Sequence, residues 1–558
     1  MRKLLYAVTG LGLLVVAASC KDPLNVHNSN NPDVTQVLGR PSDIETVIGN
    51  AYVNVHQNTL HGGDNIVVQL TVMALESYSG LANFGMGPRV ALPRNPISNQ
   101  RGNAVLAGNY RDWSGLSRAA RAAANALAAA KRPGIDLNLL GAGRSGRARS
   151  FGFFALGVAL GDLALVYDSA TVISPYDTLS SGINKSWVAP LALHDSVMRT
   201  ALRMLAAAIA ISTADAAGFP LPATWINGNA LTQPNFVRVI RSYKARFRAN
   251  VARTPAEGAA VDWASVIADA QNGVTADLNL SLSPSAGWDD GVIANFYQFD
   301  TWHSLPCLMW CMAADSAAYS TWLAQPFNSR TPFLIITPDL RFPQGATRAA
   351  QNTYSNCGAS TCSPPDKGNY IRNRTPGLDR PVDAWAASNY DHYRFQALAN
   401  ASPARTGNWP TITLAEMNML IAEGKLRTAT LDIAGATALI DVSRTRNNLP
   451  ALSGVVTSLT QIVPGGTACV PKVPAPPTYD KAKCGTLFEA MKWEKRMETA
   501  YTGYGQWYFD GRRWGDLAEG TALEFPVPYQ EMDARTRPFY DLGGVGRPDG
   551  AAKGTYGF

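Results

Sequence analysis

The chain is poor in charge and in histidine, and each shortage argues against a class of function. Only 16% of its 558 residues are charged, and no basic run occurs. Phosphate contacts need clustered cations, so a nucleic-acid partner is not expected. The formal balance of +7 (49 Lys and Arg against 42 Asp and Glu) is diffuse, and falls to +5 once Arg2 and Lys3 are removed. Six histidines are scattered at 27, 56, 61, 194, 303 and 392, with no HExxH pair, and GxSxG is missing. Neither a zincin nor an α/β-hydrolase site is therefore written here. GAGRSG, Gly141 to Gly146, has GxGxxG spacing but follows a Pro-Gly turn and DLNLL instead of a β-branched strand. It reads as an interhelical loop, and no cofactor is expected.

The N-terminal apolar run is short as well. MRKLLYAVTGLGLLVVAASC places two cations before about 15 mostly apolar residues, too few and wrongly flanked for a stable membrane span. With Ala17, Ala18 and Ser19 before Cys20 it resembles a bacterial lipoprotein signal, which implies a signal peptide over 1–19 and lipid on Cys20. Lys21, where an aspartate would hold a lipoprotein at the inner membrane, implies an outer-membrane, surface-exposed anchor. Residues 20–41, rich in Asn and Asp, read as the tether.

After Cys20 six cysteines remain, in three close pairs: Cys307/Cys311, Cys357/Cys362 and Cys469/Cys484. Near neighbours in an oxidising compartment pair locally, so disulfides are favoured. Zinc is the weaker reading, because the spacings are not repeated CxxC and no histidine pair lies close by.

What the chain does have is alanine-rich helical periodicity. Ser42 is the expected N-cap of DIETVIGNAYVNVHQ, with Ile44, Val47, Ile48, Ala51, Tyr52 and Val55 on one face. Further helices are expected at YRDWSGLSRAARAAANALAAAKR, RARSFGFFALGVALGDLALVY, LALHDSVMRTALRMLAAAIAIS and NFVRVIRSYKARFRANVAR. Alanine lets helices approach closely at little cost in propensity, which suits stacked helix pairs. Between about 281 and 408 the texture turns to Gly, Pro, Asn, Trp and Tyr, a loop-rich lobe between helical halves of about 42–280 and 409–558. In the last of these Thr413 and Glu416 spell a capping box.

The lobe holds the most aromatic stretch, WDDGVIANFYQFDTWHSLPCLMWC, Trp288 to Cys311. Sugar rings lie flat on Trp or Tyr while Asp and Asn collect hydroxyls, so Trp288, Asp289, Tyr297 and Trp302 are candidate ligand residues. The bland alternative is that these rings fill core beneath long loops. Asp289 and Asp290 could form a glycosidase pair, or a calcium or sugar-hydroxyl contact, but adjacent side chains in a loop diverge, and glycoside hydrolysis needs two carboxyls across one bond. A second patch, SYSGLANFGMG, offers Tyr78, Asn83 and Phe84.

Several segments, in order, resemble the SusD/RagB family of outer-membrane nutrient-binding lipoproteins: TLAEMNMLIAEGKL, ATALIDVSRTRNNL, WEKRMETAYTGYGQWYFDGRRWGDL and EFPVPYQEM. The chain departs from the family pattern between Gly503 and Asp510 and at its C-terminal close, as a divergent member. The resemblance implies a mainly α fold, a tetratricopeptide-like helical repeat scaffold with a loop-rich ligand-binding lobe. It also implies a non-enzymatic protein that binds oligosaccharide, or peptide, and delivers it to a SusC-like TonB-dependent outer-membrane transporter. A surface hydrolase and an adhesion scaffold are the readings from other classes. In the family, YFDGRRWGDL is a structural turn and EFPVP a strand. Accordingly Arg513 is expected to pair with local carboxylates, among Asp510, Asp516, Glu494 and Glu498, while Trp514 packs in the core.

Overall fold

The computed structural model of the protein describes residues 38–61, 65–79, 83–103, 107–176, 189–297, 303–354, 370–374 and 387–558. It is mainly α, a tetratricopeptide-like stack with few short strands. The principal helices are α1 (Pro41–Gly49), α2 (Ala51–Thr59), α3 (Ile66–Met73), α4 (Ala107–Ala129), α5 (Arg144–Val166), α6 (His194–Ala214), α7 (Gln233–Asn250), α8 (Trp263–Gln271), α9 (Leu414–Arg427), α10 (Ile433–Arg446), α11 (Leu487–Thr499) and α12 (Gln506–Trp514). From α4 onward each of the next helices packs on its predecessor, and α8 packs directly on α9. The loop-rich segment between them is thus an excursion from a continuous stack.

Helix α5 is the centre. It is long and apolar enough to cross a membrane, but almost all of it is buried among α4, α6 and α7. Its glycines let neighbours close in: a Cβ on Gly161 would fall 2.1 Å from the Phe247 ring of α7. Thr413 caps α9 by accepting the Glu416 N–H at 3.0 Å, whereas the Glu416 carboxylate turns to Arg246 (2.6 and 2.7 Å) instead of closing the box. Ser42 is not an N-cap. The helix starts one residue earlier at Pro41, whose fixed φ suits the first helical position, and breaks between Gly49 and Ala51.

Among the described residues five antiparallel two-stranded pieces decorate the stack. The strand Leu278–Leu282 pairs with Gly407–Ile412, from Leu278↔Ile412 to Leu282↔Gly407, where the loop-rich segment leaves and rejoins the helices. The segment Glu524 to Pro528 is no strand. Prolines at 526 and 528 lack the N–H a ladder needs, and a lone bridge joins Phe525 to Tyr167. Disulfides join Cys307 to Cys311 and Cys469 to Cys484, while Cys20, Cys357 and Cys362 lie outside the described residues.

The two adjacent arginines sit in a helix, α12, not a turn, and the turn follows at Gly515, whose φ of 76° closes it. Arg513 is fully buried. It forks onto Glu423 of α9 (Nε to Oε1 3.2 Å, Nη2 to Oε2 2.7 Å), reaches Asp510 at 2.8 Å and donates to the Asn250 carboxamide. Trp514 packs in the smaller core cluster of α9–α11 and donates its indole N–H to Glu423 at 2.8 Å. Glu494 and Glu498 are not its partners: they hold Arg341 of the lobe, at 2.9 and 3.3 Å, beside Asp339 at 2.7 Å. Asp516 is taken by Lys492, at 2.9 Å, and Arg496. One guanidinium therefore ties α12 to α9 and α7, and another ties the lobe to α11.

Candidate functional site

The aromatic stretch of the lobe faces inward. Gly287, at φ 81°, turns the chain so that Trp288 re-pairs with Ser283 and pushes its ring between Tyr52 and His56 of α2, 6.0 and 5.0 Å away between centroids. Tyr297 ends a π-helical turn, bonds His392 Nδ1 through its hydroxyl, and meets Tyr501 edge-on at 5.5 Å. Both rings are buried, so neither forms an exposed platform for a sugar. Burial also holds the His392 imidazole well below its usual range, hence neutral. Tyr78 is likewise buried, in β1 (Tyr78–Ser79), which pairs with His303 and Ser304. Asn83 is exposed beside Phe84, and Trp302 lies outside the described residues.

The two aspartates after Trp288 diverge. Asp290 is enclosed: its Oδ1 accepts the Ile293 N–H at 2.8 Å, and burial pushes its carboxyl up to about 8. Asp289 points the other way, toward His61 Nδ1 (3.7 Å) and Arg405 Nε (3.4 Å). These two carboxyls do not flank an open space, as a glycosidase pair must. Among the described residues no group of three or more His, Cys, Asp or Glu is placed to hold a metal.

The open space lies on the far side of His61. A cleft of about 530 Å³ runs between the end of α2 and the outer face of α4. From α2 and the residues after it come Asn54, Gln57, Asn58 and His61. From α4 come Arg111, Gly115, Arg118, Ala119 and Ala122, a stripe at helical spacing. The small residues make the floor, and Gly115 is needed there: a Cβ would fall 1.9 Å from the Asn58 carboxamide oxygen. Arg111 is held by the carbonyls of Gln57 (3.0 Å) and His61. Arg118 is exposed and has no ion pair or hydrogen bond among the described residues. The Asn58 amide already donates to the Asn54 carbonyl at 2.6 Å, but the carboxamides of Asn54 and Gln57 offer both donors and an acceptor, so the walls suit a ligand dense in hydroxyls.

None of these cleft residues except His61 stands out in the sequence; the signal was the small-residue stripe of α4, which also reads as ordinary helix packing. Neither Asp289 nor Trp288 lines the cleft; Asp289 comes no nearer than His61, which does, at 3.7 Å. A second hollow, of about 600 Å³, lies on α6 around Arg199 and Arg203. There Ser196 and Thr200 already receive the guanidiniums at 2.7 and 3.0 Å.

No family model matches the chain, and no curated protein does. Solved structures do match. A SusD homologue from Bacteroides thetaiotaomicron superposes with a TM-score of 0.54 at 11% identity, covering 93% of this chain and 100% of that one. A SusD superfamily protein from the same organism gives 0.51 at 13% identity, over 89% and 96%. A SusD/RagB family protein, again from that organism, gives 0.50 at 10%, over 88% and 94%. Across most of its length, then, this chain has the fold of the SusD superfamily.

Proposed function

We propose that the protein is a non-enzymatic binding protein that captures oligosaccharide in the cleft between α2 and α4. The observation that carries this reading is the cleft itself: three carboxamides, an imidazole and two guanidiniums on packed helices around about 530 Å³. Side chains fixed on rigid elements lose little freedom when they take up hydroxyls. The SusD superfamily fold supports the same class, and the enclosure of Asp290 gives the lobe's carboxyl pair a structural task instead of a hydrolytic one. Lipid on Cys20 would hold the protein at the outer membrane, where a SusC-like TonB-dependent transporter would receive the ligand.

Titration calorimetry of the full chain in mild detergent, against a panel of oligosaccharides and of short peptides, tests the capture step. Saccharide binding that is lost in Asn58→Ala supports the reading; binding of peptides alone replaces it with a peptide cargo. Delivery is tested separately, by recovering the protein from its native membrane and asking whether a large β-barrel transporter comes with it.

A further inference from the structure

We infer that the ligand taken by this cleft carries carboxylates, as an oligosaccharide of uronic acids does. The inference rests on the oligosaccharide reading above and adds its charge. Among the described residues that line the cleft none is Asp or Glu, while Arg111 and Arg118, seven residues apart on α4, both face it. The Arg111 guanidinium is positioned by two main-chain carbonyls across the cleft's edge. Arg118 is the informative one: it borders the cleft without a hydrogen bond or ion pair to any described residue, so a ligand carboxylate can take its planar fork. Asp289 does not line the cleft: it is buried beside His61, with the Arg405 guanidinium 3.4 Å away. A neutral sugar would use Asn54, Gln57 and Asn58 and leave the guanidinium idle. A uronate would use both sets, with its ring hydroxyls on the carboxamides and its carboxylate on Arg118.

The test compares oligogalacturonides with the same chains fully methyl-esterified, which keeps size and hydroxyls and removes the charge. Calorimetry on the full chain in low salt is expected to show the acid form bound about ten-fold tighter than the ester. The gap should narrow in 0.5 M salt, as screening shortens the reach of the charge. Arg118→Gln should abolish the preference by bringing the affinity for the acid form down to that for the ester, and Arg118→Lys should restore part of it. Equal binding of acid and ester overturns the inference and leaves the oligosaccharide reading standing. If neither form binds and no neutral oligosaccharide does, both fall; if a neutral glycan without carboxylates binds tightest, the inference falls alone. Arg118 is exposed, so its replacement does not put folding at risk.

Discussion

Replacing Arg513 by Ala removes the guanidinium but leaves Glu423 in place, fully buried between α9 and α12. In the native protein burial pushes the Glu423 carboxyl up, and Arg513, Arg427 and Lys495 more than offset this, holding it at about 2. A glutamate that titrates at about 2 when folded and at 4.5 when unfolded contributes about 3 kcal/mol at neutral pH. The sign follows from the depressed value: the contribution is complete above 4.5 and is lost as pH falls toward 2. Leaving this charge buried with Arg427, at 2.9 Å, as its remaining ion-pair partner is expected to cost about 3–5 kcal/mol. At roughly 2.1 cal/mol/K per residue the melting entropy of the chain is about 1 kcal/mol/K, so Tm should fall by about 3–5 °C. Adding Glu423→Gln removes the stranded charge, so the double variant should melt above Arg513→Ala even though it has lost more ionic groups. Thermal melts of the three variants at pH 7 decide it. An unchanged Tm in Arg513→Ala, or a double variant that melts lower still, would refute the clamp.

Asp290, at about 8 when folded and 3.8 when unfolded, takes up a proton on folding between those values, so stability drops as pH rises through that window; the Tm gained by Asp290→Asn should be about 2–3 °C larger at pH 7 than at pH 5, and a pH-independent difference would count against it. Replacing Cys469 and Cys484 by Ser opens a loop with a separation of 15 residues and should cost about 3 kcal/mol, whereas the same change at Cys307 and Cys311, separated by 4, should cost less; paired melts show which is greater. Gly115→Ala should drive the Asn58 carboxamide out of its seat, costing about 1–3 kcal/mol and abolishing saccharide binding in calorimetry, while Ala119→Gly leaves that seat untouched.

The helical stack was legible because its signals are local. Alanine-rich 3.6-residue periodicity marked α4 to α7, and Thr413 marked the start of α9. Close cysteine spacing pointed to Cys307–Cys311 and Cys469–Cys484. Long-range choices were not legible. The sequence offers Arg513 four acids between positions 494 and 516, yet of these it takes Asp510 alone and adds Glu423, ninety residues away, because Glu423 of α9 is brought beside it by the fold while Glu494 and Glu498 are held by Arg341. Trp288 looked like a binding platform since an aromatic ring in a Gly/Pro-rich loop has the same composition whether it faces solvent or core; the positive φ at Gly287 sends it inward. The cleft was hidden for the opposite reason. Asn54, Gln57 and Asn58 look like an ordinary wet helix end until α4 is laid beside them.

The Tyr501 N–H donates to the Glu76 carboxylate at 2.5 Å across 425 residues of sequence, and the Tyr504 hydroxyl reaches Asp112 at 2.7 Å across 392. Arg341 similarly waits for Glu494 and Glu498. The first and middle thirds of the protein thus acquire their last internal partners only when the final stretch has been made. Such distant pairings come late in folding, since ordering the intervening chain must precede the contact that rewards it. A chain cut before Leu487 would keep its helical periodicity but leave Glu76, Asp112 and Arg341 without these mates, and should persist as an open, protease-sensitive form. Completion of the polypeptide, rather than folding of its early helices, is the event that locks this molecule shut.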